Sequence, residues 1–242
     1  MINFLKELKK KNEFTPNYMG IFFNPYFIVR YNLFRIIKKI SAKLDINTML
    51  DFGCGSKPYK NCFKYKNYIG LDIEESGHDH TNEKIDLFYD GKKIPFSDGH
   101  FDFIFSSEVF EHIFNLENVI IELNRVLKKN GKMLITLPFV WNEHEQPYDY
   151  ARYTSFAIKD ILIKNGFEIE ESKKSSNFIE TIFQKLTVYL YQLIFPKNSY
   201  LRFILVFLIL APLNLFGIVL GKLLPDDKTF YLNNVILCKK KN

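Results

Sequence analysis

An α/β fold built on a parallel sheet is predicted by two features of this 242-residue chain. From Thr48 onward, short β-rich runs alternate with helical periods, and such alternation requires a parallel sheet covered on both faces. The first run, Met49-Leu50-Asp51-Phe52, passes into Gly53-Cys54-Gly55-Ser56, a tight turn with an acid and two glycines one residue apart. Glycine lets a backbone turn sharply and approach a ligand closely. The junction of a strand with the following helix is the usual binding crevice of an open parallel sheet. A second acid, Asp72, lies near the end of the next run, residues 68–73.

The bulk properties narrow the class. Hydrophobic residues make up 47% of the chain, enough for a sizeable core. The 33 Lys and Arg exceed the 27 Asp and Glu by six, and residues 1–45 carry that whole excess, with nine bases against three acids. A basic, aromatic N-terminal segment beside a neutral body points to a surface-binding arm and not to a nucleic-acid groove. Cys54, Cys62 and Cys238 have neither disulfide-framework nor zinc spacing and fit a reducing, cytoplasmic compartment. The first residues lack the continuous apolar core of a signal peptide.

Taken in order, residues 2–11 read as a short basic amphipathic helix, the start of an N-terminal helical arm over 1–45. Asn24-Pro25 opens a second helix to about Leu44, with Phe34, Ile37, Ile40 and Leu44 on one face. Strands follow at 48–52, 68–73, 85–88, 101–106, 132–137 and 167–172. Between the fourth and fifth lies a helix marked by Leu116, Val119, Ile120, Leu123, Val126 and Leu127, capped by Asn115 and ended by Asn130-Gly131 as a left-handed C-cap. Thr154 opens the next helix and Asn165-Gly166 closes it.

The glycine turn fits two cofactor classes. A dinucleotide needs Gly-x-Gly-x-x-Gly, the third glycine allowing close packing below the pyrophosphate. Pro58 stands at that third position and argues against NAD or FAD. S-adenosylmethionine has no phosphate, so two glycines suffice, and Asp72 stands where an acid accepts hydrogen bonds from ribose hydroxyls.

With these residues in place, the stretch 48–172 resembles the class I S-adenosylmethionine-dependent methyltransferases. The family's motif I corresponds to Leu50-Asp51-Phe52-Gly53-Cys54-Gly55 and its ribose acid to Asp72. Asp90-Gly91-Lys92-Lys93-Ile94-Pro95-Phe96 is similar to the block whose acid pairs with the adenine amino group. Residues 101–112, ending Ser106-Ser107-Glu108-Val109-Phe110-Glu111-His112, resemble the fourth-strand motif beside the transfer site. Arg125–Lys132 resembles the corner that follows. The resemblance implies a Rossmann-like seven-stranded sheet, mostly parallel, with an antiparallel last strand at 231–239 inserted between the fifth and sixth. It also implies a cofactor set of Asp51, Gly53, Cys54, Gly55, Asp72, Ile73, Asp90, Gly91, Ser106 and Glu108. Cys54 is there as a small turn residue, with no base nearby in sequence to make it a nucleophile. Asp86 and Asp102 read as structural acceptors at strand ends. The departure is Ser56-Lys57-Pro58-Tyr59, which resembles a branch of bacterial small-molecule methyltransferases associated with surface glycans or lipids.

Residues 138–154 follow the fifth strand and concentrate rings and ionisable groups, as substrate loops do. The same branch carries a similar Pro-aromatic-His-Glu-x-Pro-x-Asp-x-x-Arg-Tyr pattern here. The substrate set is Trp141, Glu145, Tyr148, Asp149, Arg152 and Tyr153, with His144 as first candidate for general base and His112 as second. Arg152 either binds an anionic group or pairs with Asp149 where the helix starts. No metal is expected, because the His, Glu and Asp spacing matches no standard ligand set.

Residues 203–221 run without a charge inside an apolar insert spanning about 178–224. If the last strand rejoins the sheet, a single membrane crossing there would leave that strand on the wrong side. A shallow hairpin bent at Pro212 and lying in the membrane surface is the favoured arrangement, with helices packed on the domain or in a homodimer as the other. The basic arm would reinforce attachment to anionic headgroups at the inner face. The expected activity is methyl transfer to oxygen of a small-molecule, glycan or lipid-linked acceptor. Its rivals are a prenylated-quinone methyltransferase and an inactive cofactor-binding membrane partner.

Overall fold

The structure is a computed structural model in which residues 12–74 and 83–241 are described. The basic helix expected over 2–11 lies outside the described residues. Two compact units make up the chain, residues 12–38 with 174–233 and residues 39–173 with 234–241. The described part of the N-terminal arm as far as Lys38 shares a unit with the apolar insert, and residues 39–45 belong to the other.

The second unit is organised by a seven-stranded sheet in the order β3-β2-β1-β4-β5-β7-β6. Its strands are β1 (Ile46–Phe52), β2 (Tyr65–Ile73), β3 (Leu87–Tyr89), β4 (Phe101–Ser107), β5 (Leu127–Pro138), β6 (Phe167–Lys174) and β7 (Asn233–Lys240). The pairs β1–β2, β1–β4, β2–β3 and β4–β5 are parallel. Strand β7 runs antiparallel to β6, since Ser175 donates to Asn233 O at one end and Lys241 to Gly166 O at the other. Continuous apolar runs suit strands buried on both faces. Phe103, Ile104 and Phe105 are all buried, as are Met133, Leu134 and Ile135. The helix α2 (Leu116–Val126; α1 is Phe27–Ser41) packs Leu116, Ile120, Leu123 and Val126 into this core at helical spacing. The order reverses between β1 and β4, which puts a binding crevice at their carboxyl ends.

Asn115 holds the N-cap position of α2, but its side chain makes no capping bond. The far end of α2 departs from expectation. It stops at Val126, and Asn130-Gly131 does not cap it. The last carbonyls are taken from outside: Gly99 and His100 donate to Arg125 O and Val126 O, and Lys240 Nζ donates to Asn124 O and Leu127 O. With those acceptors satisfied, the chain enters β5 at once. Asn130 then sits at φ +61°, where the register with β4 slips between Phe101↔Leu127 and Phe103↔Lys132. Helix α3 (Ser155–Lys164) follows its prediction, with Thr154 Oγ1 accepting from Ala157 N and Gly166 at φ +85°.

In the first unit, α4 (Phe178–Tyr189) lies antiparallel to α6 (Ala211–Leu223). Contact is close at Gly217, where a Cβ would stand 2.5 Å from Phe183 Cβ, and Asn177 Nδ2 donates to Gly221 O at 2.7 Å. The expected hairpin at Pro212 does not form. One helix runs from Tyr200 to Leu223 through α5 (Ser199–Leu205), a π turn at Val206–Leu210 and α6. Proline lacks an N–H and crowds the preceding turn. The wider turn absorbs this, with Ala211 N bonding Val206 O five residues back. Gln184, fully buried, holds the helical elements together: its Oε1 accepts from Val29 N in the first turn of α1 at 2.9 Å, and its Nε2 donates to Pro25 O at 3.0 Å. Gln184→Ala removes the partner of Val29 N, leaves Pro25 O only the 3.4 Å bond from Thr187 Oγ1, and should destabilise the protein by about 2–4 kcal/mol in chemical denaturation.

Candidate active site

The turn after β1 is held by backbone bonds and by Asp72. Gly53 and Gly55 adopt φ +68° and +41°. A Cβ on Gly53 would stand 2.4 Å from Val109 Cγ2, so the turn and the end of β4 approach only because Gly53 has none. Gly53 and Cys54 N–H groups donate to Leu71 O, and Gly55 N donates to Asp72 Oδ2 at 2.8 Å. Asp72 Oδ1 accepts from Ile73 N at 2.9 Å. The acid expected at the ribose therefore also clasps the turn to β2, and each oxygen keeps a lone pair for a hydroxyl.

Asp51 is 4% exposed and accepts a 2.5 Å bond from the Tyr68 hydroxyl, a partner that sequence reading missed. Burial pushes its carboxyl up to about 7, against the pull of Tyr68 and Lys57. Lys57, at φ +56° in the unusual loop, folds back to pair with Asp86 at 2.8 Å. Asp86 also accepts from Gly70 N and Asp102 from Thr48 N, the structural roles foreseen for them. Cys54 is buried with its thiol pushed up by burial, which fits an inert turn residue.

The ends of β3 and β4 complete the carboxyl edge. Asp90 is exposed, and its Oδ1 accepts from Lys92 N and Lys93 N, shaping the turn that continues through Gly91 at φ +73°. Ser106 is 1% exposed, and its hydroxyl has no hydrogen-bond partner among the described residues. The polar groups at this strand end come from its neighbours: Ser107 Oγ meets Thr136 Oγ1, which donates to Glu108 Oε1 at 2.8 Å. Glu108 stands at φ +56°, a conformation that costs a non-glycine residue on the order of 1 kcal/mol or more and recurs at functional sites.

Residues 138–154 dock onto this edge through the backbone, as Tyr150 and Ala151 both donate to Glu111 O. That contact brings together the two histidines proposed as bases. The rings of His112 and His144 stand 4.8 Å apart, edge to face. His112 Nδ1 lies 3.0 Å from Tyr148 O, and His144 Nδ1 lies 3.2 Å from Asn142 O and from Asp149 Oδ2. Burial holds His112 below the ordinary imidazole range, opposed by the Glu145 carboxylate. Of the two roles open to Arg152, the structure forms the ion pair: its terminal nitrogens meet both Asp149 oxygens at 2.5 and 2.6 Å. Burial acts to raise Asp149, yet Arg152 and the His144 amide outweigh it and hold the carboxyl at about 2. Trp141 and Tyr153 are partly buried, with Tyr153 against the core and its carbonyl accepting from Asn234, whereas Tyr148 is exposed. Glu145 reaches His112 and His144 at 3.6 and 3.9 Å. Sequence reading assigned no role to Glu111, whose carboxylate faces the same cluster from a fully buried position.

Asp51 has a pH signature. Its carboxyl lies above the unfolded value of about 4, so the folded state holds the proton more tightly and stability falls as pH rises from about 4 to about 7. Asp51→Asn keeps an acceptor for Tyr68 and removes that charge. Denaturation at pH 5 and pH 8 should show the variant gaining on the wild type by roughly 1–4 kcal/mol at the higher pH.

The two glycines and paired acids fit S-adenosylmethionine. Residues 50–135 match the methyltransferase domain family. An uncharacterised protein of Methanocaldococcus jannaschii is 28% identical over 182 residues, covering 73% of this chain and 79% of that one. The malonyl-[acyl-carrier protein] O-methyltransferase of Legionella pneumophila is 29% identical over 149 residues, 52% of this chain, and the match spans about half (51%) of that enzyme's length. The structure of phosphoethanolamine N-methyltransferase 2 of Haemonchus contortus with S-adenosylmethionine superposes with a TM-score of 0.53 at 18% identity, over 98% of this chain and 60% of that one, a likeness of fold. Domain match, sheet order and relatives support an S-adenosylmethionine-dependent methyltransferase.

Proposed function

We propose that the protein methylates a hydroxyl oxygen on a glycan or lipid-linked acceptor, with His144 as general base and His112 beside it. The observation that supports this reading is the convergence of two imidazoles at the carboxyl ends of β4 and β5. The cofactor supplies an electrophilic methyl on a sulfonium. Asp51, Gly53, Cys54, Gly55, Asp72 and Ile73 are assigned to its amino-acid and ribose portions, and Asp90 and Gly91 to the adenine. Ser106 and Glu108 are assigned to the cofactor side of the β4 end. Holding the acceptor oxygen in line provides most of the acceleration. A hydroxyl must lose a proton during transfer, whereas an amine already offers its lone pair, so a neutral imidazole favours oxygen. The related enzymes named above divide between O- and N-methylation, and the histidine pair is what tips the choice. Trp141, Glu145, Tyr148 and Tyr153 would line the acceptor, while Asp149 and Arg152 would position His144 through their ion pair.

The lipid side of the reading rests on the apolar helix. Within Tyr200–Leu223 an 18-residue stretch has a mean hydropathy of 2.7 and is 28% buried. Leu193, Leu208, Leu215, Phe216 and Leu223 are more than half exposed. We place this face on the cytoplasmic membrane surface without crossing it, since β7 rejoins the sheet. A homodimer would cover the same face.

Two experiments test these readings. His144→Ala should lower turnover on a panel of sugar and lipid-linked acceptors roughly 100-fold or more while donor affinity stays unchanged. Unaltered turnover removes His144 as the base, and no methylated product on any acceptor favours the binding-protein rival. In flotation with phosphatidylglycerol vesicles the protein should rise with the lipid. Leu208→Asp with Phe216→Asp should leave it at the bottom, and a concentration-dependent dimer without flotation assigns the face to self-association.

A further inference from the structure

We propose that Glu111, His112 and His144, joined by Glu145, form a binding site for a divalent transition-metal ion. One donor atom from each of the first three lies within 4.8 Å of the others. Both imidazoles present the same nitrogen to the cluster. His112 Nδ1 faces Tyr148 O, which only accepts, so it carries the hydrogen and Nε2 keeps its lone pair. His144 Nδ1 faces two acceptors at 3.2 Å, Asn142 O and Asp149 Oδ2, against one donor at 3.4 Å, Arg152 Nη2. The two shorter contacts favour the same tautomer. Metal-bound histidines are oriented in this way, by a carbonyl or carboxylate at the remote nitrogen.

The spacing of the donors supports the same reading. Glu111 Oε1 lies 3.8 Å and Glu145 Oε2 3.6 Å from His112 Nε2, and Glu145 Oε1 lies 3.9 Å from His144 Nε2. These gaps are too long for hydrogen bonds. They are close to the roughly 3.4 Å between neighbouring ligands held at about 2.1 Å around a tetrahedral ion.

A second observation is independent of spacing. Glu111 is 0% exposed, and among the described residues neither of its carboxylate oxygens has a hydrogen-bond partner; His112 Nε2 is buried in the same condition. Buried polar atoms are nearly always satisfied, and a buried carboxylate without a partner is costly. Arg152 acts on Glu111 only through its charge: its terminal nitrogens bond Asp149, and its Nε makes no hydrogen bond to the Glu111 carboxylate. A cation among these atoms satisfies all three at once.

Two imidazoles with carboxylates select zinc, cobalt, nickel, manganese or iron(II) over calcium and magnesium, which prefer oxygen donors throughout. The ion would hold the acceptor oxygen and lower its pKa. That last role rests on the methyl-transfer reading, whereas the metal site does not. Sequence spacing argued against a metal within residues 138–154; the set here takes His112 from 32 positions before His144, and the docking of residues 138–154 unites them.

The test is Co2+ binding to the full chain after chelator treatment, read by elemental analysis and by ligand-field absorption bands, with Zn2+ as competitor. One ion per chain is expected. Glu111→Gln and His144→Asn should each weaken binding at least tenfold, with circular dichroism and S-adenosylmethionine affinity unchanged. His144 lies on a partly exposed loop, so its variant decides the matter where the buried Glu111 change prevents folding. Absence of stoichiometric Co2+ in the wild type, or unchanged affinity in His144→Asn, overturns the site. Methyl transfer that survives chelation removes the ion's role in the reaction and leaves the histidines as bases, while the site stands or falls on Co2+ binding alone. Stoichiometric binding in a protein that transfers no methyl keeps the site and removes the acceptor role.

Discussion

Two amide donors, from Tyr150 and Ala151, converge on one acceptor, the carbonyl of Glu111. Much of the candidate chemistry depends on that junction. It fixes residues 138–154 over the short helical turn Phe110–His112, and so sets His144 beside His112. The position is further constrained by the Asp149–Arg152 pair, which holds the His144 backbone and ring from the other side. A mobile loop would lose the ordering needed for catalysis, since misplacement by about 1 Å can reduce a rate by two orders of magnitude. Here backbone hydrogen bonds and a two-pronged ion pair share the task, and both survive changes in the exposed rings of the loop.

The donor side is built on a different principle, close approach with buried charge. Gly53 brings the turn against Val109, and the Asp72 carboxylate replaces the missing side-chain contacts by bonding to Gly55. Asp51 below them is nearly closed off from water and is raised to about 7 by that burial. Such an arrangement opposes stability in the empty protein and favours a cationic ligand, because a positive charge nearby restores the carboxylate. Positive φ at Lys57, Glu108 and Glu145 adds local strain at the same edge of the sheet. Strain and unfavourable burial concentrated where five strands end are what a ligand site leaves behind when a fold is otherwise consistent.

The fold was legible because its signals are periodic. The apolar runs of β1, β4 and β5, the helical spacing from Leu116 to Val126 and the Thr154 cap each carry their own physics, and all reappear in the structure. Failures occurred where long-range contacts replaced a local rule. Lys240 and the residues before β4 satisfy the end of α2, so Asn130-Gly131 was free to become a strand irregularity. A π turn let the helix continue past Pro212. In the candidate site, the turn at Gly53 and Gly55 and the nearness of Asp72 to it followed from spacing. Tyr68 was not, because its contact with Asp51 depends on the β1–β2 register. Glu111 carried a visible signal in its adjacency to His112, but its burial could not be read from one sequence.

The two halves of the site thus differ in what determines them. The donor turn is local: one strand, two glycines and an acid on the neighbouring strand define it, and any protein with this sheet order can place them alike. The acceptor side is assembled from the end of β4 and a segment some 30 residues later, with charges that have few alternative partners. Asp149 is already matched to Arg152, so an anionic acceptor group gains little from that guanidinium. What is left without a hydrogen bond in this cluster, among the described residues, is the Glu111 carboxylate and His112 Nε2, which attract a cation or a hydroxyl proton and repel an anion. On the reading proposed above, acceptor recognition runs through neutral hydroxyl chemistry at the histidines and through apolar or aromatic contact elsewhere, the combination a sugar or lipid-linked alcohol presents.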